Sequence, residues 1–419
     1  MHKGGNAMRI LVMSDSPFIP TGLAKVGREI ALGLYRHGHD VGYLEWFHHG
    51  DIPQKNLENI RCWLTNDNSY GANHLDKIVN RFQPEVVLTI GDMWNLWYLA
   101  DGSMCRTRRW FQWVAYIPVD GEPINGGIPP SQLPILEDVD WPVAYTKYAE
   151  AALRKSVRDQ EFLTRLRTIY HGVNHNLFKP TDPEFRKKLR HRFGIGDEKF
   201  IFLTVSRNQS RKNIPELLRA WKIFSETQEA RGRVLLWPHM FFNDPMGWKI
   251  DNLLDILQLR NNSIMYYNQV AHAEHEMLLI PEEETAALYQ IADAFILIAG
   301  EGFGLPTFEA MATKLPCVLL DYAASTELGA EGRAEMIPCK DFATWTGMQL
   351  TQRPMPDPAA VARAMMKVYS DRDWRRFIAE NGYKFCLDYS WEKVVADFNA
   401  LMMEIEVPFL RPKALEVVA

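Results

Sequence analysis

The residues best suited to chemistry lie in the run Glu301-Gly302-Phe303-Gly304-Leu305-Pro306-Thr307-Phe308-Glu309-Ala310-Met311, which follows an apolar, strand-like stretch from Ala294 to Ile298. The pattern predicts a strand, a glycine loop and a helix. Gly302 and Gly304 would let backbone N–H groups approach a phosphate, Pro306 suits a first helical turn, and a helix N-terminus favours negative charge. In this reading a diphosphate rests on the loop. Glu309, in the helix's first turn, accepts hydrogen bonds from ribose hydroxyls, and Glu301, at the strand's end, faces a cleft. The plain alternative is a tight turn in which Glu309 only complements the helix dipole.

The elements that must position such a loop recur along the chain. Arg9–Met13 reads as a strand and Leu23–Arg36 as a helix, with further strand patterns at Val41–Trp46, Val86–Ile90 and Trp113–Ile117. A second series follows at Phe200–Val205, Val234–Trp237, Ser263–Tyr267, Ala294–Ile298 and Cys317–Leu320, separated by helical stretches such as Pro215–Phe224. Two alternating series predict an α/β protein of two doubly wound, Rossmann-like domains facing across a cleft. The boundaries are expected at residues 8–176 and 177–388, with a C-terminal helix and tail, 389–419, packing back toward the N-terminal domain.

A length of 419 residues fits two cores, and 47% hydrophobic with 24% charged residues places the chain among ordinary globular proteins. A net charge of −5 gives no global attraction to nucleic acid or anionic lipid. The five cysteines lie far apart with no C-x-x-C, which argues against a disulfide framework and fits a reducing cytoplasm. No apolar run has membrane-spanning length, and Met1–Ala7 lacks the apolar core of a signal peptide.

The Glu301–Glu309 segment resembles the E-x7-E signature of the family-4 glycosyltransferases, retaining enzymes of GT-B fold that use nucleotide-sugar donors. The resemblance implies that Glu309 binds the donor ribose and that Glu301 contacts the transferring sugar. It also implies that the Phe303, Gly304 and Leu305 amides hold the diphosphate. The stretch Thr204–Asn213 resembles the family segment in which an Arg and a Lys grip the pyrophosphate, here Arg207 and Lys212; standing alone it would read as a solvated basic turn. Asn213 stands where the family often has Gly. Tyr170–Asn174 and Asp321–Leu328 resemble two further family segments in the expected order. Pro20-Thr21-Gly22-Leu23 resembles the glycine loop near the donor phosphates or acceptor, with Gly22 as its one glycine. Asp120 occupies the place where many relatives have a catalytic His; it would orient the acceptor hydroxyl or stabilise positive charge on the sugar, or else cap the turn before Gly121.

The expected activity is therefore metal-independent transfer of a hexosyl or pentosyl group from a nucleotide diphosphate sugar, a UDP-sugar foremost, with no other cofactor. Acceptors open at this stage are a carbohydrate, a lipid-linked glycan, a small molecule or a hydroxymethylated base in DNA. A non-catalytic GT-B protein that binds a sugar nucleotide or glycan is the alternative. Specificity is expected in the loops Phe47–Gly71 and Pro238–Trp248.

Other signals are weaker. Gly22–Glu29 misses a P-loop because Arg28 and Glu29 stand where Lys and a hydroxyl are needed, and Thr307 breaks the dinucleotide fingerprint. The His37/His39, His48-His49 and His272/His275 groups lack metal-site spacing. The Arg and Trp residues of 106–113 read as a core strand's flank more readily than as a nucleic-acid contact.

Overall fold

The computed structural model describes residues 7–46, 57–65, 67–100, 104–260, 263–266, 271–272, 281–345 and 350–406. The His48-His49 pair, residues 273–275, the tail 407–419 and much of the start of the Phe47–Gly71 loop lie outside the described residues. The chain divides into two compact units. One holds the described residues up to Gly172 together with the helix Trp391–Glu404; the other holds Val173–Trp345 and Thr351–Ser390.

In the N-terminal unit the strands are β1 (Arg9–Asp15), β2 (Asp40–Trp46), β3 (Arg61–Leu64), β4 (Val86–Ile90), β5 (Gln112–Ile117), β6 (Trp141–Ala144) and β7 (Arg167–Thr168). They form a parallel seven-stranded sheet in the order β3-β2-β1-β4-β5-β6-β7. The central strands are apolar on both faces, as β4 shows with all of Val86–Ile90 buried, which is the mark of a sheet covered on both sides.

The C-terminal unit repeats the plan with β8 (Phe200–Val205), β9 (Val234–His239), β10 (Ala294–Leu297), β11 (Cys317–Leu320) and β12 (Glu335–Ile337), parallel in the order β12-β11-β10-β8-β9. Ile264 bridges Leu236 in parallel, extending the order beyond β9. Each unit has its own apolar core. The two α/β units expected from the strand–helix alternation are thus present. In both sheets the winding reverses next to the first strand, between β1 and β4 and between β8 and β10; in open α/β sheets such a reversal is where a crevice forms beyond the strands' carboxyl ends.

One clamp fixes the second reversal from below. Asp293, just ahead of β10, accepts the Ile201 N–H of β8 at 2.8 Å and the Arg186 guanidinium at 2.7 Å, and also holds buried Arg190. Among the described residues no helix is long and apolar enough to cross a membrane.

The N-terminal unit buries His171 beside Tyr116, Tyr145 and Trp391. The Tyr116 hydroxyl donates its one proton to Ile169 O at 2.6 Å, so the 2.8 Å contact with His171 Nδ1 requires the imidazole to donate. Burial pushes the His171 pKa down to about 3 from an ordinary 6.5. The unfolded chain therefore takes up a proton below pH 6.5 that the folded chain refuses until about pH 3. Stability falls as pH drops through that window, by up to about 1.4 kcal/mol per unit. His171→Gln should flatten this part of the pH dependence in denaturant titrations; an unchanged slope would contradict the assignment.

Candidate functional site

The carboxyl ends of β8 and β10 are neighbours, so the segments that leave them, Ser206–Asn213 and Ile298–Gly304, emerge side by side. Glu301 lies in the loop four residues past Leu297, the end of β10. It forms an ion pair with Lys212 and stands 3.8 Å from Arg211 Nη1, which also donates to Gly300 O at 3.1 Å. Lys212 is 6% exposed and the Glu301 side chain 14%, so the pair is largely removed from water. Arg207 Nε donates to Asp244 Oδ2 at 2.7 Å. Each cation that the sequence singles out thus already holds a carboxylate.

Asn213 ends this segment with φ 53° and ψ 36°, in the left-handed region. A glycine adopts that conformation freely, and Asn is among the few other residues that tolerate it. Its side chain adds bonds glycine cannot make, donating to Ile298 O at 2.8 Å and Pro354 O at 3.2 Å. The helix Ile214–Ser225 begins directly after it, with Pro215 in its first turn.

In the loop after β10, Gly304 has φ 100° and caps the helix Leu305–Ala312 without a side chain, with Pro306 in the first turn. The left-handed glycine turns the chain from loop into helix and brings backbone, not side chain, to the helix N-terminus. Phe303 is buried against Phe308, ring centroids 4.8 Å apart, which pins the loop to the helix behind it.

Glu309 departs from the sequence expectation. With Gly304 as the cap, Glu309 is the fifth helical residue and lies beyond the first turn, which contains no acidic residue. The helix dipole acts over the first turn only, so the dipole-complement reading loses its ground too. Glu309 is 7% exposed and accepts the Tyr289 hydroxyl at 2.8 Å. Burial, reinforced by Glu309, raises the Tyr289 pKa well above its ordinary value, so the phenol stays a donor.

Gly22 and Asp120 belong to the N-terminal unit, near the carboxyl ends of β1 and β5. Gly22 is the exposed first residue of the helix Gly22–Arg36, whose cap, Thr21, accepts Ala24 N–H at 3.1 Å and donates to Asp15 at 2.6 Å. Asp120 is half-buried, past the end of β5. Arg207, Lys212, Glu301, Phe303, Gly304, Leu305 and Glu309 thus all belong to the C-terminal unit, where Lys212 and Glu301 are in direct contact, whereas Gly22 and Asp120 belong to the N-terminal unit. Sequence reasoning missed Asp244, Asn208 and Tyr289. The first had a readable signal, since Asp244-Pro245-Met246-Gly247 carries type I turn residues. Among the described residues no group of three His, Cys, Asp or Glu could hold a metal ion.

Residues 258–371, which include Glu301 and Glu309, match the family described as Glycosyl transferases group 1. The O-antigen chain mannosyltransferase B of Escherichia coli is 24% identical over 193 residues, 45% of this chain and 42% of that protein. The curated relatives are thus matched over less than half of their length. Among solved structures, sucrose-phosphate synthase from Thermosynechococcus elongatus superposes with a TM-score of 0.74 at 18% identity, covering 94% of this chain and 98% of that one. Anabaena Alr3699/HepE in complex with UDP and glucose gives 0.69 at 16% identity, covering 95% and 100%. The fold is that of the GT-B glycosyltransferases.

Asn213→Ala should destabilise the C-terminal unit by about 2 kcal/mol, from left-handed strain and the lost side-chain bonds. Asn213→Gly should cost less, since it keeps the backbone. Equal unfolding midpoints for the two variants would contradict this account of Asn213.

Proposed function

We propose that this chain, of GT-B glycosyltransferase fold and with a group 1 glycosyltransferase segment in its C-terminal unit, transfers a sugar from a nucleotide diphosphate sugar to an acceptor hydroxyl. The observation that carries the reading is that the Arg207–Lys212 segment and the Glu301 loop leading into the Leu305–Ala312 helix leave adjacent strands where the sheet reverses between β8 and β10, joined by the Lys212–Glu301 pair. The diphosphate lies against the Phe303–Leu305 backbone, with Arg207 and Lys212 on its oxygens. Glu301 takes the sugar hydroxyls. Glu309, one oxygen held by Tyr289, takes the ribose. The UDP and glucose bound to the Anabaena neighbour support a UDP-sugar as the donor.

Transfer proceeds with retention. The acceptor oxygen attacks the anomeric carbon on the face the diphosphate is leaving, the anomeric C–O bond breaks, and the acceptor proton passes to a leaving phosphate oxygen. No protein nucleophile takes part. Negative charge builds on the β-phosphate, and a cation about 4 Å away contributes roughly 4 kcal/mol at an effective dielectric near 20, before desolvation. Because Lys212 and Arg207 begin paired with Glu301 and Asp244, the phosphates share these cations with carboxylates and the net gain is smaller. In the N-terminal unit, Asp120 is assigned to the acceptor hydroxyl and Gly22 to the loop that serves donor or acceptor.

Nucleoside-diphosphate release from UDP-, GDP- and ADP-sugars tests the reading. One donor class should turn over, and Lys212→Met and Arg207→Gln should each slow release by about 10²- to 10³-fold. Gln is chosen at 207 because its amide still donates to buried Asp244. Wild-type rates in both variants would remove the phosphate grip, and no release or binding with any donor would leave a non-catalytic binding protein.

A further inference from the structure

The loop Phe242–Trp248 is tied to the Arg207 segment at several points. β8 and β9 run in register to Val205 opposite His239, so the chain beyond each strand leaves the sheet side by side. Asn208, fully buried, uses its side-chain amide as a peptide would. Its Nδ2 donates to Trp248 O at 2.7 Å and Phe242 O at 3.3 Å, and its Oδ1 accepts Trp248 N–H at 3.0 Å. Ser210 N–H donates to Met246 O at 3.3 Å. Gly247 lies so close that a Cβ would fall 2.0 Å from Asn208 O. The loop and the cationic segment form one block.

At its centre the Asp244 carboxylate divides its two oxygens. Oδ1 accepts Met246 N–H at 2.8 Å and, with Gly247 N–H on Asp244 O at 3.0 Å, closes the turn. Oδ2 accepts Arg207 Nε at 2.7 Å. The Asp244 side chain is 1% exposed, whereas that of Arg207 is 45% exposed. A fixed, buried anion therefore holds the stem of an outward-facing cation. We propose that Asp244 is a positioning residue for Arg207, and that the Asp244–Gly247 turn sets the guanidinium for the donor diphosphate before the donor arrives. This rests on the phosphate contact given to Arg207 above.

The physical argument has a definite sign. A long arginine must be immobilised to grip a phosphate, and anchoring it beforehand removes that entropic cost. Asp244 also cancels positive charge beside the site, so charge attraction alone predicts tighter diphosphate binding once its charge is removed. Positioning predicts weaker binding. The two accounts differ in direction.

Asp244→Asn separates them, since its amide oxygen still accepts Met246 N–H and keeps the turn while the anionic grip on Arg207 is lost. Calorimetric titration with UDP, GDP and ADP should show the preferred diphosphate binding about tenfold more weakly to Asp244→Asn, at a near-wild-type unfolding midpoint. In an Arg207→Gln background the same substitution should change binding little, because the residue through which it acts is gone. Should Asp244→Asn fail to fold, Asp244→Ser, whose hydroxyl can also close the turn, replaces it. Equal or tighter binding to the charge-removed variant, or an undiminished loss in the Arg207→Gln background, would overturn the positioning role alone. Unchanged diphosphate binding in Arg207→Gln itself, or no binding to the wild type, would remove the underlying phosphate contact and the proposal with it.

Discussion

The ion pair between Lys212 and Glu301 joins the two segments that leave the C-terminal sheet where its winding reverses, and the local architecture is arranged to make it. Neither group is stable alone at such burial; breaking one partner from a buried pair typically costs about 3–5 kcal/mol. Forming it requires β8 and β10 to be neighbours, which the Asp293 clamp secures at the opposite ends of the strands. It also requires Asn213 to turn sharply so that Lys212 points back to the crevice before the helix Ile214–Ser225 begins. A ligand phosphate entering here meets a cation already in place, and a carboxylate that can turn to other hydroxyls.

The same logic of occupied partners runs through the site. Arg207 is held by Asp244 and Glu309 by Tyr289, so the groups proposed to meet the donor are set by contacts from behind. Pairing lowers the raw electrostatic attraction, but it fixes geometry, and geometry governs how well charge is met in a transition state. The left-handed Gly304 fits this scheme, since its φ of 100° is a conformation that glycine adopts freely and it turns the loop into the helix.

The strong strands were legible because their apolar runs are long and flanked by turn residues, as at Val86–Ile90 and Phe200–Val205. β6 was not, because it is four residues long and contains Pro142, which ordinarily argues against a strand inside a sheet. β3 is equally short and β12 shorter still, at three residues, and both begin with a charged residue. At the site, the spacing of Glu301, Gly304 and Glu309 was readable, but the expectation of Glu309 in the first turn fails because the helix starts at Leu305 and Glu309 is its fifth residue. One residue of cap position decides that, and capping by glycine leaves no side-chain signature to read. Asn213 was legible only as a departure; its positive φ shows why Asn serves in a position suited to glycine. Asp244 escaped because its partner lies 37 residues away, and such pairing follows from β8 and β9 standing side by side.

The central claim is that one crevice of the C-terminal sheet holds a nucleoside diphosphate through paired cations and a helix N-terminus. A crystal structure of the protein soaked with UDP, GDP or ADP tests it most directly. The account predicts diphosphate oxygens within hydrogen-bonding distance of Arg207, Lys212 and the Phe303–Leu305 amides, with the ribose against Glu309. A nucleotide bound in another place, with the Lys212–Glu301 and Arg207–Asp244 pairs undisturbed and remote from the phosphates, would contradict it.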